Sequence, residues 1–170
     1  MLNLQVFTDG SVNTRLKVGY GAYLMVSDLS APIDSFKDTV KVKRFEQTSS
    51  TKLELQTLLW SLSEMIALAN GSDIALTVYT DSKNIIGLPG RRARIEQSNY
   101  FTSKNKRLNN YELYREFYRL TSILKFELVK VVGHQASSKK DKIDRLFGLV
   151  DKASRRALRD DCFDMAERGC

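Results

Sequence analysis

The sequence predicts an α/β fold, a mixed five-stranded sheet flanked by helices, and three observations lead there. The first fifty residues carry Val, Tyr, Phe and Leu in short runs joined by short polar links, the pattern of an antiparallel meander. Near Thr51 the apolar period changes to that of a helix. From there strand-like and helix-like segments alternate, the rhythm of a sheet extended by crossover connections.

In chain order, the first three strands are LNLQVFT, GYGAYLMVS and SFKDTVKVKRF. A long helix follows over TKLELQTLLWSLSEMIALAN, with Leu58, Leu62, Ile66 and Ala69 on one face and Asn70-Gly71 closing it. DIALTVYT, poor in charge, reads as a centrally buried strand, and DSKNIIGL opens a helix that Pro89-Gly90 ends. Residues 91–110 have no clear period, and Arg91, Arg92, Arg94, Lys104, Lys106 and Arg107 face only one acid there, Glu96, so about 91–107 reads as a basic insertion. YELYREFYRLTSIL is a helix, KFELVKVV a strand, and beyond the polar loop GHQASSKKDK a last helix covers IDRLFGLVDKASRRALRD. No repeat, low-complexity tract or linker divides residues 1–170, which therefore read as one domain. The segment from about 161, DDCFDMAERGC, is a tail with no assigned role.

Lys and Arg number 27 against 20 Asp and Glu, a net charge of +7, which favours a polyanionic partner such as nucleic acid. Cys162 and Cys170 lack metal-ligand spacing and a disulfide framework, so they read as free thiols in a reducing compartment. With no basic-then-apolar leader and no run long enough to span a bilayer, the expectation is a soluble, cytoplasmic protein without a membrane partner.

Four acids and a histidine attract notice. Asp9-Gly10 has the chemistry of a tight hairpin turn, yet SVNTRLK after it is polar and apolar alternation resumes only near Gly19. The turn therefore falls within residues 12–18 and Asp9 near the end of the first strand. Thr51 and Glu54 have the spacing of a capping box, but Glu54 also falls within the stripe of Leu58, Leu62 and Ile66 and faces the sheet. A carboxylate there needs a partner, and a cation shared with other carboxylates supplies one. Asp81-Ser82 closes a strand and opens a helix, which suits an N-cap as well as a site at the carboxyl edge of the sheet. If the first and fourth strands are parallel neighbours, Asp9 and Asp81 end side by side and a divalent cation relieves their repulsion. His134, the only histidine, follows the last strand on the same edge.

FTDGSVN with GYGAYL, TSSTKLELQTLLWSL, VYTDSKNII, and VVGHQ with VDKASRRALR together resemble, in order and spacing, the successive signatures of type 1 ribonuclease H. The resemblance implies a ribonuclease H-like fold, three antiparallel strands extended by two parallel ones. It implies a carboxylate cluster binding two Mg²⁺ ions, with Mn²⁺ as a substitute. Asp9, Glu54 and Asp81 match three of the ligands, and His134 the mobile-loop histidine that assists proton transfer or product release. For the fourth carboxylate periodicity leaves Asp144 and Asp151 open, since both face one side of the last helix. VDKASRRALR is the better match to the family's final motif, so Asp151 is preferred and Asp144 is the alternative. Ser50 and Thr51 stand where the family often has substrate-contacting asparagines, and residues 91–107 occupy the place of its basic protrusion.

The activity implied is that of an endonuclease cutting the RNA strand of RNA·DNA hybrids, leaving 5′-phosphate and 3′-hydroxyl ends. Oxygen ligands suit Mg²⁺, and two ions about 4 Å apart suit a charged phosphodiester. Recognition of 2′-hydroxyls falls by position to Ser11, Asn13, Ser50 and Asn84. The alternatives are an inactive nucleic-acid-binding module of the same fold, or an exonuclease or transposase of the superfold. No protein partner is implied, and the chain reads as a monomer.

Overall fold

The structure is a computed structural model that describes residues 1–132 and 141–168. Strand β1 (Leu2–Asn13) runs antiparallel to β2 (Val18–Val26), with Asp9 opposite Ala22 and Gly10 opposite Gly21. Between them Asn13 Oδ1 accepts the backbone N–H groups of Arg15 and Leu16, both at 3.1 Å, which pins the turn. β2 pairs antiparallel with β3 (Lys41–Glu46). On its other side β1 pairs parallel with β4 (Ile74–Thr80), and β4 parallel with β5 (Phe126–Lys130). The order β3-β2-β1-β4-β5 is the mixed sheet expected, three antiparallel strands extended by two parallel ones.

Strand alternation divides the core between the two faces. Leu4 and Val6 of β1 and Leu76 and Val78 of β4 pack under α1 (Ser50–Ala69) and α4 (Tyr111–Ile123), which contribute Leu58, Leu62, Phe117 and Leu120. Phe7 points the other way, joining Leu24 and Val26 beneath Leu146, Phe147 and Val150 of α5 (Lys142–Glu167). Helix α1 lies unusually close to the β1–β2 ribbon. A Cβ added at Gly19 would stand 2.7 Å from Leu53 Cδ2, and one at Gly21 2.0 Å from Thr57 Oγ1. Thr57 has no room to yield, because it is buried and its hydroxyl donates to the Leu53 carbonyl at 2.8 Å.

Three expectations change. The stretch before β3 is a 3₁₀ helix over Ile33–Thr39, with β3 confined to Lys41–Glu46. Pro32 accepts the Ser35 N–H at 3.0 Å, and Ile33 and Phe36, one 3₁₀ turn apart, pack together on the α5 side of the core. Pro89 starts a helix: α2 (Lys83–Ile86) is short, and α3 (Leu88–Gln97) has the proline in its first turn, where the missing N–H costs nothing. The first seven residues of the basic insertion, 91–97, are therefore helical. Finally α5 continues to Glu167, so the tail from 161 to 167 is its last two turns.

Candidate carboxylate site

Parallel pairing of β1 with β4 ends at Phe7 and Tyr79, and both acids lie just past that point. Asp81 directly follows β4, whereas Asp9 sits within β1, which continues as a partner of β2 for four more residues. Asp9 therefore shares its strand face with Phe7 and Ser11, towards α5. There Ser11 and the buried Ser154 of α5 join their hydroxyls at 3.1 Å.

The capping alternatives resolve in detail. Ser49 caps α1, accepting the Lys52 N–H at 3.3 Å, so the Thr51–Glu54 box does not form and Glu54 is one turn inside the helix. Ser82, and not Asp81, caps α2, its Oγ accepting the Ile85 N–H at 3.2 Å. The same hydroxyl donates to Glu54 Oε2 at 2.6 Å, aiming that carboxylate at the end of β4. At the start of α5, Asp141 Oδ1 accepts the Asp144 N–H at 2.9 Å and Asp144 Oδ2 accepts the Asp141 N–H at 3.2 Å. Asp144 is thus engaged in a capping box. Asp151, two turns on, stands against Asp9 and accepts Arg155 Nε at 2.9 Å.

Electrostatics mark the same place. The Asp9 carboxyl is pushed up to about 8, first by burial, next by the charge of Asp81, and further by a hydrogen bond and charge from Asp151; the Gly10 N–H opposes this. Burial and Asp81 also raise Glu54, against the pull of the Ser82 hydroxyl. Asp9, Glu54 and Asp81 line a cavity of about 10 Å³ with Thr8, Thr57, Thr80 and Ile85. Among the described residues no three of these side chains form a closed ligand shell; Glu54 is turned to Ser82 and Asp151 to Arg155. The donor set itself fits a hard divalent cation: every donor is a carboxylate oxygen, and the acids are crowded enough for one to hold its proton near neutrality.

The substrate-contact candidates separate into groups. Ser50 is exposed at the first turn of α1. Ser11 is bonded to Ser154, and Asn13 holds the β1–β2 turn and donates to Cys162 Sγ at 3.5 Å. The Asn84 carbonyl and Oδ1 both accept Arg91 Nη2 at 2.8 Å, and its buried Nδ2 has no hydrogen-bond partner among the described residues. Arg91 is consequently a brace within α2 and α3. Arg92 pairs with Glu96 at 2.9 Å, and Arg107 is sandwiched between Phe101 and Tyr111, 4.3 and 4.6 Å from their ring centres. Arg94, Lys104 and Lys106 make no side-chain ion pair or hydrogen bond among the described residues and leave their charges outward. His134 lies outside the described residues. Sequence reasoning missed Ser82 as the residue that orients Glu54 and Ser154 as the bolt between α5 and β1. A serine directly after the strand-ending acid was the one available signal for the first.

Comparison with known proteins bears on the family and the fold. The model of the family described as RNase H matches residues 2–150. Ribonuclease H of Treponema denticola is 26% identical over 156 residues, covering 85% of this chain and 94% of that protein. Among solved structures, the protease-reverse transcriptase of prototype foamy virus superposes with a TM-score of 0.66 at 15% identity, over 90% of this chain and 20% of that one. LC9-RNase H1, a type 1 RNase H with the type 2 active-site motif, gives a TM-score of 0.64 at 15% identity, over 91% of this chain and 71% of that one.

Proposed function

Because the chain belongs to the RNase H family, we propose that it is a metal-dependent endonuclease that hydrolyses the RNA strand of RNA·DNA hybrids. The observation that carries this is the meeting of Asp9, Glu54, Asp81 and Asp151, brought by two strands and two helices to one edge of the sheet, with Asp9 pushed up to about 8. Asp9, Glu54, Asp81 and Asp151 are the residues that would hold two Mg²⁺ ions. Bound there, the ions would supply the charge that activates water and stabilises the departing 3′-oxygen, leaving 5′-phosphate and 3′-hydroxyl ends.

The chain's own residues do the positioning. Ser82 Oγ holds Glu54 towards Asp81, and the Ser11–Ser154 contact fixes α5 so that Asp151 stands over Asp9. Burial by Thr8, Thr57 and Thr80 keeps the acids away from bulk water, which strengthens their interaction with any cation between them. Arg94, Lys104 and Lys106 are the cations left to meet the backbone of the hybrid, and Ser50 is an exposed hydroxyl one helical turn before Glu54. His134 is retained as the group that moves a proton or releases product.

The test is incubation with labelled RNA·DNA hybrid, double-stranded RNA and single strands in Mg²⁺. Cleavage confined to the RNA of the hybrid, and abolished in Asp81→Asn, is the expected result. Hybrid binding by the wild-type chain without cleavage would replace this reading with that of an inactive binding module.

A further inference from the structure

The family match ends at residue 150, yet α5 continues to Glu167, and the extra turns are anchored. Arg44 Nε donates to Asp161 Oδ2 at 2.8 Å and Asn13 Nδ2 to Cys162 Sγ at 3.5 Å, while the buried Ser154 meets Ser11. With that side fixed to β1 and β3, the opposite face is turned to solvent. Arg145, Lys152, Arg156 and Arg159 are exposed on it and make no ion pair among the described residues. At about 100° per residue the four lie within roughly 40° of one line, and at 1.5 Å per residue they span about 21 Å. No acid shares this face between Arg145 and Arg159. Phe163, 64% exposed, continues the same line one turn on. Beside the row's start, Arg145 and Lys152 line an open cleft of about 560 Å³ against the 3₁₀ helix, where Lys37 is paired with Asp34 at 2.8 Å.

We propose that this face of α5 is a second nucleic-acid contact, a track for single-stranded backbone that has left the hybrid. The inference rests on the hybrid-cleaving reading for the origin of that strand. Charge supplies the first argument: four cations in a row without an intervening acid complement a phosphate chain. Geometry supplies the second. The row lies about a third of a turn of α5 away from Asp151, on a convex surface, whereas Arg94, Lys104 and Lys106 occupy the α3 side. A stiff duplex seated on the carboxylates and held from the α3 side keeps its course, but a single strand bends at each phosphate and can turn over the helix. Phe163, an exposed aromatic at the end of the cationic row, offers a stacking platform for an unpaired base.

The experiment is fluorescence anisotropy without divalent cations, comparing a blunt hybrid with one carrying a single-stranded tail of about ten nucleotides. The wild-type chain should prefer the tailed hybrid. In the variant Arg145→Ala, Arg156→Ala, Arg159→Ala that preference should vanish while blunt-hybrid affinity is unchanged. Its slope of log K against log salt on the tailed hybrid should become shallower by about 2, three phosphates at about 0.7 each. Phe163→Ala should weaken the tailed hybrid by about tenfold. Unaltered thermal unfolding of the variants establishes that they fold. Equal losses on blunt and tailed hybrids, or no loss on either, overturn the proposal. Cleavage of the blunt hybrid in Mg²⁺ is measured beside it: tail-dependent binding in a chain that cuts nothing overturns the nuclease reading and leaves the track standing.

Discussion

Replacing Asp9 with asparagine should make the protein more stable while making it inactive. With its carboxyl pushed up to about 8, Asp9 holds a proton at pH 7 in the folded, cation-free chain, whereas an unfolded aspartate releases it near 3.9. At about 1.36 kcal/mol per pH unit, folding against that difference costs at most about 4 kcal/mol at pH 7. Asp9 is only partly shielded from water, so about 2–4 kcal/mol is the expected gain in Asp9→Asn. For a chain of this length that is on the order of 10 °C in Tm. The direction with pH follows from the raised value: this contribution is fully favourable below the unfolded pKa and is lost as pH rises through about 8. The wild-type chain in EDTA should therefore lose stability between about pH 4 and 8, and the variant should show less of that decline. Denaturant unfolding at several pH values measures both. Mg²⁺ should raise the wild-type midpoint and leave the variant nearly unmoved, narrowing the gap. An Asp9→Asn chain no more stable than wild type in EDTA, or with an undiminished pH slope, refutes the crowding argument.

The two candidate carboxylates on α5 should separate cleanly. Asp151→Asn is expected to abolish hybrid cleavage, and Asp144→Asn to keep it while losing up to about 1 kcal/mol of stability as the charge at the helix start disappears; single-turnover assays beside thermal melts decide. Within the basic segment, Arg91→Ala should cost about 1–3 kcal/mol because Asn84 and Gly87 lose their donor. Lys104→Ala with Lys106→Ala should leave stability within about 0.5 kcal/mol and lower the salt slope of blunt-hybrid binding by about 1 per lysine. Ser82→Ala should lower cleavage and weaken Mg²⁺-induced stabilisation, both read against the wild-type chain, because Glu54 and the α2 N-terminus lose one shared hydroxyl.

The sheet was legible because its determinants are local. Alternation in LNLQVF and GYGAYLMV and the charge-poor DIALTVYT marked the three central strands and their kinds of neighbour. Phe36 misled because an aromatic in SFKDTVKVKRF suits a strand equally well, and only Pro32 and the packing of Ile33 and Phe36 against α5 favour the 3₁₀ turn. Pro89 reads equally as a stop and a start until the preceding turn is known to end at Gly87. At the site, the functional alternatives for Glu54 and Asp81 depended on who else offers a cap, and the actual caps are Ser49 and Ser82. Asp144 and Asp151 share a helix face, so no periodicity separates them; their contacts do, Asp151 meeting Asp9 and Asp144 closing a capping box with Asp141, and contacts are a property of the folded chain.

The glycines under α1 have a wider consequence. Where Gly19 and Gly21 leave out a side chain, the helix settles against the β-ribbon at a height set by bare backbone. Glu54 stands on that same turn, and its reach to Asp81 and Ser82 is measured from that height. Part of the site's specification is thus written as missing atoms, at positions that carry no carboxylate. A methyl group placed there would act as a shim, tilting one carboxylate out of a set whose tolerance is about 1 Å. Variation at these glycines would silence the chain while every acid remained in place.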